Sequence, residues 1–126
     1  MLKIVKFLPL LPLLLTGCVS STITNLTPSR LPHHATGLYP LEVAWDTREQ
    51  AVRQHSLTPV VIIDTETYPM RPTRGITNRW EAVVPVPAGQ KSVYYSFKFD
   101  YQKNDFGGPR RNSQLTRTYK LDILDK

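Results

Sequence analysis

The feature that most constrains the fold of this chain is a segment in which every second side chain is large and apolar. Between Ser92 and Tyr101 the apolar members are Val93, Tyr95, Phe97, Phe99 and Tyr101. A period of two places these side chains on one face of an extended strand, whereas a helix would scatter them around its axis. The segment therefore predicts a β-strand with one buried face.

Three further segments repeat this alternation, namely Gly37–Asp46, Arg79–Val86 and Tyr119–Leu124. Pro59–Asp64 is continuously apolar instead, which is typical of a strand covered on both faces or central in a sandwich. The chain also holds 11 prolines, which disfavour long helices because proline lacks an N–H and clashes with the preceding turn. These patterns predict an all-β protein.

Turn residues separate the predicted strands. Pro87-Ala88-Gly89 joins two of them tightly, and Asn104–Pro109 is predicted to form the tip of a longer loop. Asp46–Leu57 is ambiguous, because Asp46-Thr47-Arg48-Glu49 fits either a capping box or a polar loop, and at most two helical turns are expected there. Five strands, or up to seven, with regular turns predict an antiparallel β-sandwich over residues 37–126.

The order of these strands resembles immunoglobulin-like domains of the early-set kind found in bacterial surface proteins. That resemblance implies two facing sheets with one shared core. The larger aromatic side chains that follow the inward alternation are interpreted as core: Trp45, Trp80, Tyr95, Phe97, Phe99 and Tyr101. Pro40 and Pro59 are expected to protect exposed sheet edges.

The first residues have the organisation of a signal peptide. Two lysines lie within Met1–Lys6, and the apolar run Phe7–Leu15 follows. That run is far shorter than the roughly 20 residues that cross a bilayer as a helix. A buried N-terminal strand or helix is the alternative, but the flanking lysines and the small residues that follow fit export better. Residues 1–17 are therefore predicted to be a leader.

The apolar run ends in Leu15-Thr16-Gly17-Cys18, which resembles the lipobox of bacterial lipoproteins. The resemblance implies that the Cys18 thiol receives a diacylglycerol, that a signal peptidase cleaves after Gly17, and that the new amino group is acylated, with palmitate as a typical chain. Cys18 is the single cysteine of the chain. Val19 stands where an aspartate would retain an enteric lipoprotein at the inner membrane, so the expected location is the cell envelope, at the outer membrane where one exists.

Residues 18–36 are predicted to be a lipid-anchored tether. Small polar residues and prolines dominate this stretch, and they favour an extended, solvated chain. Ile23 and Leu26 interrupt it, so part of the tether is expected to dock as a first edge strand.

Residues with catalytic or metal-binding chemistry form no recognisable constellation. No serine lies in a Gly-x-Ser-x-Gly elbow, and no Gly-x-x-x-x-Gly-Lys loop is present. His33 and His34 are adjacent and would point to opposite faces of a strand, while His55 stands alone. Asp64 and Glu66 would share a face at a strand end, where solvent-facing carboxylates are common. No catalytic residue, metal or cofactor is predicted.

The candidate binding surface consists of exposed aromatic and basic side chains in predicted loops or on the outward strand face: Tyr68, Tyr94, Phe106, Arg110 and Arg111. An exposed ring can stack on a sugar or anchor a protein contact, and Arg110-Arg111 could contact envelope phosphates or carboxylates. A simply solvated loop is the alternative. The formal charge of +6 is scattered, so nucleic acid is not an expected partner.

These features predict a non-enzymatic, lipid-anchored envelope protein that acts as an interaction or structural module. Its predicted partners are membrane lipid, through acylated Cys18, and an envelope protein or glycan. The alternative is a carbohydrate-binding surface module, because Trp80, Pro87, Gly89, Tyr95 and Phe97 resemble the pattern of modules from starch- and glycogen-active enzymes. That alternative requires two coplanar exposed rings. A small hydrolase, the third possibility, requires a pocket with convergent polar groups.

Overall fold

The structure is a computed structural model that describes residues 21–48 and 52–124. The predicted leader, residues 1–17, and Cys18 lie outside the described residues. Ten strands form the described part of the chain, and their bounds are β1 Ser21–Asn25, β2 Arg30–Pro32, β3 Leu38–Thr47, β4 Thr58–Ile63, β5 Glu66–Pro69, β6 Arg71–Pro72, β7 Arg79–Pro85, β8 Ser92–Asp105, β9 Gly108–Leu115 and β10 Tyr119–Leu124.

The strands form two sheets. The first has the order β1-β3-β7-β6, and the second has the order β2-β10-β8-β4-β5, with β9 also paired to β8. Every pairing is antiparallel except that of β2 with β10. In immunoglobulin lettering the first sheet corresponds to A-B-E-D, and the run from β10 to β5 in the second sheet corresponds to G-F-C-C′. The predicted immunoglobulin-like β-sandwich is therefore confirmed, although ten described strands exceed the predicted five to seven.

The core lies between the sheets and is rich in aromatic rings. Trp45 on β3 has its ring centroid 4.9 Å from that of Phe99 and 5.0 Å from that of Tyr101, both on β8. These contacts join the strands that carry the inter-sheet disulfide in antibody domains. The predicted core aromatics are buried, except that Trp80 is half-buried and packs against the core.

The predicted tether contributes to both sheets. β1 pairs with β3 from Ser21↔Thr47 to Asn25↔Val43, and β2 pairs with β10. Ile23 packs against the core, as expected for a docked edge strand. The predicted domain boundary at residue 37 therefore differs from the structure, because residues 21–32 belong to the sandwich. Polar side chains flank Ile23, so backbone pairing rather than apolar alternation holds β1.

The ambiguous segment between β3 and β4 contains one described turn of 3-10 helix, Gln54–Ser56. Asp46 and Thr47 continue β3, so the capping-box interpretation is wrong for them. Within the described residues no helix is long and apolar enough to cross a membrane.

The prediction for edge prolines is also corrected. Pro59 lies in β4, which runs between β5 and β8, so the correction applies to Pro59. Pro40 pairs with Val83 of β7 on one side of β3, and β1, which pairs with Val43–Thr47, does not cover its other side. The outermost strands carry other prolines, namely Pro32 in β2, Pro69 in β5 and Pro72 in β6. Proline suits such strands because it withholds a donor from a would-be partner.

Candidate functional site

The candidate site is the basic hairpin, defined as residues 102–111, which projects beyond the sandwich. The last pair between β4 and β8 is Thr58↔Asp100, whereas β8 and β9 stay paired as far as Asp105↔Gly108. The strand residues after Asp100 extend β8 by about 17 Å. Phe106-Gly107 forms a two-residue turn, so the longer loop predicted over Asn104–Pro109 is wrong. Gly108 has a φ of 112°, which glycine adopts without a steric penalty.

The base of the hairpin is braced by the segment that precedes β4. The Arg53 backbone N–H donates to the Gln102 carbonyl at 2.9 Å, and the Gln102 N–H donates to the Ser56 hydroxyl at 2.8 Å. The Arg53 Nε also donates to Asn104 Oδ1 at 2.8 Å. An isolated two-stranded hairpin is marginally stable in water, so these three bonds contribute to its order.

Basic side chains project from both faces of the hairpin. Arg110 lies opposite Lys103, and Arg111 lies opposite Gln102, so the two arginines point to opposite faces. The Arg110 Nε lies 3.3 Å from Asp105 Oδ2, with 76% of the arginine side chain exposed. Like charges directly opposite each other destabilise a strand pair. The Asp105 carboxylate beside Arg110 offsets part of that repulsion.

Phe106 occupies the tip of the hairpin and is fully exposed. Its N–H donates to the Asp105 carboxylate at 2.8 Å, which fixes the turn from within. Burial of a phenylalanine side chain is worth roughly 1.5–3 kcal/mol. The tip therefore presents an exposed apolar ring beside charged side chains.

A β-bulge lies between β9, the second strand of the hairpin, and β10. β9 ends with Leu115↔Lys98 and β10 begins with Tyr119↔Tyr95, so three residues of the returning chain oppose two residues of β8. Thr116 closes the bulge, because its N–H donates to the Phe97 carbonyl at 2.9 Å and its hydroxyl accepts from the Phe97 N–H at 3.0 Å. Such bulges bend a strand locally and increase its twist.

A polar groove of about 660 Å³ lies beside the base of the hairpin. Lys98 and Asp100 form its β8 wall, where the Lys98 Nζ is 3.9 Å from Asp100 Oδ1. His55 and Arg111 line it from neighbouring segments. The groove can take a small polar ligand through hydrogen bonds. Within residues 21–48 and 52–124, no three His, Cys, Asp or Glu side chains are grouped as a metal site.

The predicted binding residues divide into separate places. Phe106, Arg110 and Arg111 share the basic hairpin. Tyr94 is 56% exposed but lies near the start of β8, about 40 Å along the strand from Phe106. The prediction of a loop position for Tyr68 is wrong, because it lies in β5 opposite Val61 and packs against the core.

The condition for carbohydrate binding is not met by the described aromatic residues. Trp45, Tyr95 and Tyr101 are buried in the core. Tyr94 and Phe106 are the exposed rings of the described part of the chain, and they lie near opposite ends of β8. They cannot form a shared stacking platform, so the carbohydrate-binding alternative loses its support.

The candidate acid–base residues occupy turns and exposed surfaces. Asp64 lies in the two-residue turn between β4 and β5 and has a φ of 56°, while Glu66 begins β5. The predicted shared strand face for these carboxylates is therefore wrong. His34 serves a local role, since its Nδ1 accepts from the Thr36 N–H at 3.2 Å.

Several residues of the site were not identified from the sequence. Arg53 and Val52 contact the hairpin at Asn104 and Lys103. Lys98 and Asp100 line the groove. The alternation of β8 does place Lys98 and Asp100 outward. Nothing in the sequence specifies which strand lies beside them, because β9 is polar on both faces.

The chain matches no family model and no curated protein. Among solved structures, it is similar to a chain described as murine CRIg, with a TM-score of 0.44 and 10% sequence identity. The matched region covers 83% of this chain and 98% of that chain.

Proposed function

We propose that this chain is a non-enzymatic lipoprotein of the bacterial cell envelope, whose β-sandwich serves as an interaction module. The observation that carries the proposal is Leu15-Thr16-Gly17-Cys18, which directly follows an apolar run and a lysine-containing start. Cys18 is the attachment site for the lipid. Val19 in the next position favours the outer membrane.

Lipidation would give the sandwich a stable membrane attachment. Buried acyl carbons contribute about 0.8 kcal/mol per CH₂, and two or more chains hold a protein at the bilayer where one does not. β1 begins at Ser21, three positions after Cys18. An anchor at Cys18 therefore holds the folded domain itself close to the lipid surface.

An interaction role is favoured by the distribution of polar groups. In the described residues the buried side chains are all apolar, and no charged side chain is buried. The Asp64, Glu66 and His55 side chains are exposed. The protruding basic hairpin is the best-formed contact surface.

The test is the intact mass and membrane partitioning of the full-length protein expressed in a bacterial host. The expected product begins at Cys18 and carries acyl groups, and a Cys18→Ala variant loses both the acyl mass and the cleavage. Val19→Ala is the matched control, because it changes the adjacent side chain and leaves the lipidated thiol intact. A wild-type product that is soluble and carries no acyl mass would contradict the proposal.

A further inference from the structure

The basic hairpin points in the same direction as the start of the sandwich. The Gln114 Nε2 donates to the Ser21 hydroxyl at 3.1 Å, and Gln114 pairs with Phe99 of β8. Ser21 thus lies at the level of Phe99. From Phe99 to Asp105 the strand continues for about 20 Å toward the end at which β1 begins. The tip therefore stands about 20 Å beyond Ser21.

The chain between Cys18 and β1 is shorter than this projection. Three peptide units span at most about 11 Å when fully extended. With Cys18 held at the lipid surface, that surface passes within about 11 Å of Ser21. The tip of the hairpin stands about 20 Å beyond Ser21 at that same end of the sandwich. The tip must then contact the bilayer, unless the whole sandwich tilts.

We infer that the basic hairpin docks on anionic lipid headgroups, beside the lipid anchor that the proposed function assigns to Cys18. Phe106 enters the headgroup region, which is about 6 Å deep on each side of the bilayer. Arg110 and Arg111 bind lipid phosphates on either face of the hairpin, because the guanidinium fork matches phosphate oxygens.

The charge of the hairpin region complements this partner. Residues 102–111 contain three basic side chains, Lys103, Arg110 and Arg111, and one acidic side chain, Asp105. Each basic side chain near an anionic membrane strengthens attachment about fivefold. The apolar tip and basic flanks together form an interfacial element, in which an apolar group enters the lipid and cations bind at its surface.

A second copy of the chain is the competing occupant. β9 offers its outer edge for strand pairing, but that edge carries Pro109, Arg110 and Arg111. Proline removes a donor, and adjacent like charges repel an identical edge. The same residues that oppose pairing with a second copy favour an anionic surface, so the observations support lipid.

A single thiol at the tip can test this docking. Cys18 is the chain's single cysteine, and acylation blocks its thiol, so an introduced cysteine is the one reactive site. Gly107→Cys keeps Phe106 intact, and a Cβ at Gly107 meets nothing within 4 Å. The matched control is Ala88→Cys, in the exposed turn between β7 and β8 at the opposite end of the sandwich.

Each purified lipidated variant is labelled with an environment-sensitive fluorophore and reconstituted into vesicles of phosphatidylethanolamine with phosphatidylglycerol. We expect emission from position 107 to shift to the blue and to be quenched by nitroxides on shallow lipid positions, while position 88 stays in water. With the label at 107, Arg110→Gln and Arg111→Gln together should lower the docked-to-free ratio about 30-fold. Vesicles of phosphatidylcholine should weaken docking similarly, and Phe106→Ala should reduce the quenching.

The outcomes separate this inference from the proposed function. Acylated protein whose tip probe stays in water overturns the docking and leaves the lipoprotein assignment intact. A probe shielded by a concentration-dependent dimer, with no lipid quenching, would assign the hairpin to a second copy and also overturn the docking. Protein without acyl mass overturns the proposed function, and the docking that rests on it.

Discussion

Asn25 connects the first strand to the opposite sheet, and its replacement tests whether β1 belongs to the sandwich. The Asn25 Nδ2 donates to the Tyr95 hydroxyl at 2.9 Å, and its Oδ1 accepts from the Thr27 N–H at 3.0 Å. Tyr95 is 2% exposed. A buried hydroxyl left without its partner costs about 1–3 kcal/mol, and loss of a second hydrogen bond costs about 1 kcal/mol. Asn25→Ala should therefore lower the free energy of unfolding by about 2–4 kcal/mol.

Two further variants isolate the bond between the sheets. Asn25→Asp keeps an acceptor for Thr27 and lets the Tyr95 hydroxyl donate to the carboxylate, so its cost should stay below about 1 kcal/mol. Tyr95→Phe removes the hydroxyl. In that background Asn25→Ala should lower the free energy of unfolding by about 1 kcal/mol, because no buried hydroxyl is left without a partner. The difference between the cost of Asn25→Ala in the wild type and in the Tyr95→Phe background is the coupling energy of the two side chains.

Urea unfolding followed by tryptophan fluorescence supplies the measurement. For a slope of about 1.5 kcal/mol per molar urea, Asn25→Ala should lower the transition midpoint by about 1.3–2.7 M. The reasoning is refuted if Asn25→Ala changes the free energy of unfolding by less than about 0.5 kcal/mol, the usual range for exposed positions. Residue 25 would then behave as part of a solvated spacer.

Three other pairs of substitutions check the fold by the same unfolding assay. Phe99→Ala should lower stability by about 3–5 kcal/mol, whereas Phe106→Ala should change it by less than about 0.5 kcal/mol; equal losses would contradict the assigned burial of the two rings. Thr116→Val should lower the free energy of unfolding by about 1–2 kcal/mol because the Phe97 N–H loses its acceptor, while Thr116→Ser should be nearly neutral. Equal effects of the two variants would contradict a stabilising hydrogen bond from the Phe97 N–H to the Thr116 hydroxyl. Asp64→Val should cost about 1–2 kcal/mol at a positive φ, and Asp64→Gly should cost less than about 0.5 kcal/mol, so a tolerated valine would contradict the turn.

The strands that could be predicted from the sequence are those that bury one complete face. β3, β7 and β8 each place alternate apolar side chains against the opposite sheet, so the period of two is visible in the order of residue types alone. β9 lacks this signal. It is held by backbone pairing with the polar extension of β8, and such pairing leaves no pattern in side-chain type.

Three residues of the site could be predicted from the sequence, but their arrangement could not. Phe106, Arg110 and Arg111 could be identified as exposed because they flank a glycine-rich turn. Their position on a projecting hairpin depends on the register of β8 with β9, which long-range backbone pairing sets. Tyr68 was misplaced since Pro69 and Pro72 made its surroundings resemble a loop, whereas prolines are also tolerated in edge strands.

The division of the N-terminal segment between the two sheets has a mechanical consequence. β1 is bonded along its length to β3, and it begins at the end nearest Cys18. Under the proposed lipid anchor at Cys18, a pull along the chain reaches the sandwich at Ser21, the first residue of β1. A force along β1 would load its hydrogen bonds to β3 together, in shear. If β1 slides along β3, the pairing of β2 with β10 in the other sheet still holds the next part of the chain. A domain attached in this way can transmit force between a membrane and a bound partner without first unravelling at its attachment point.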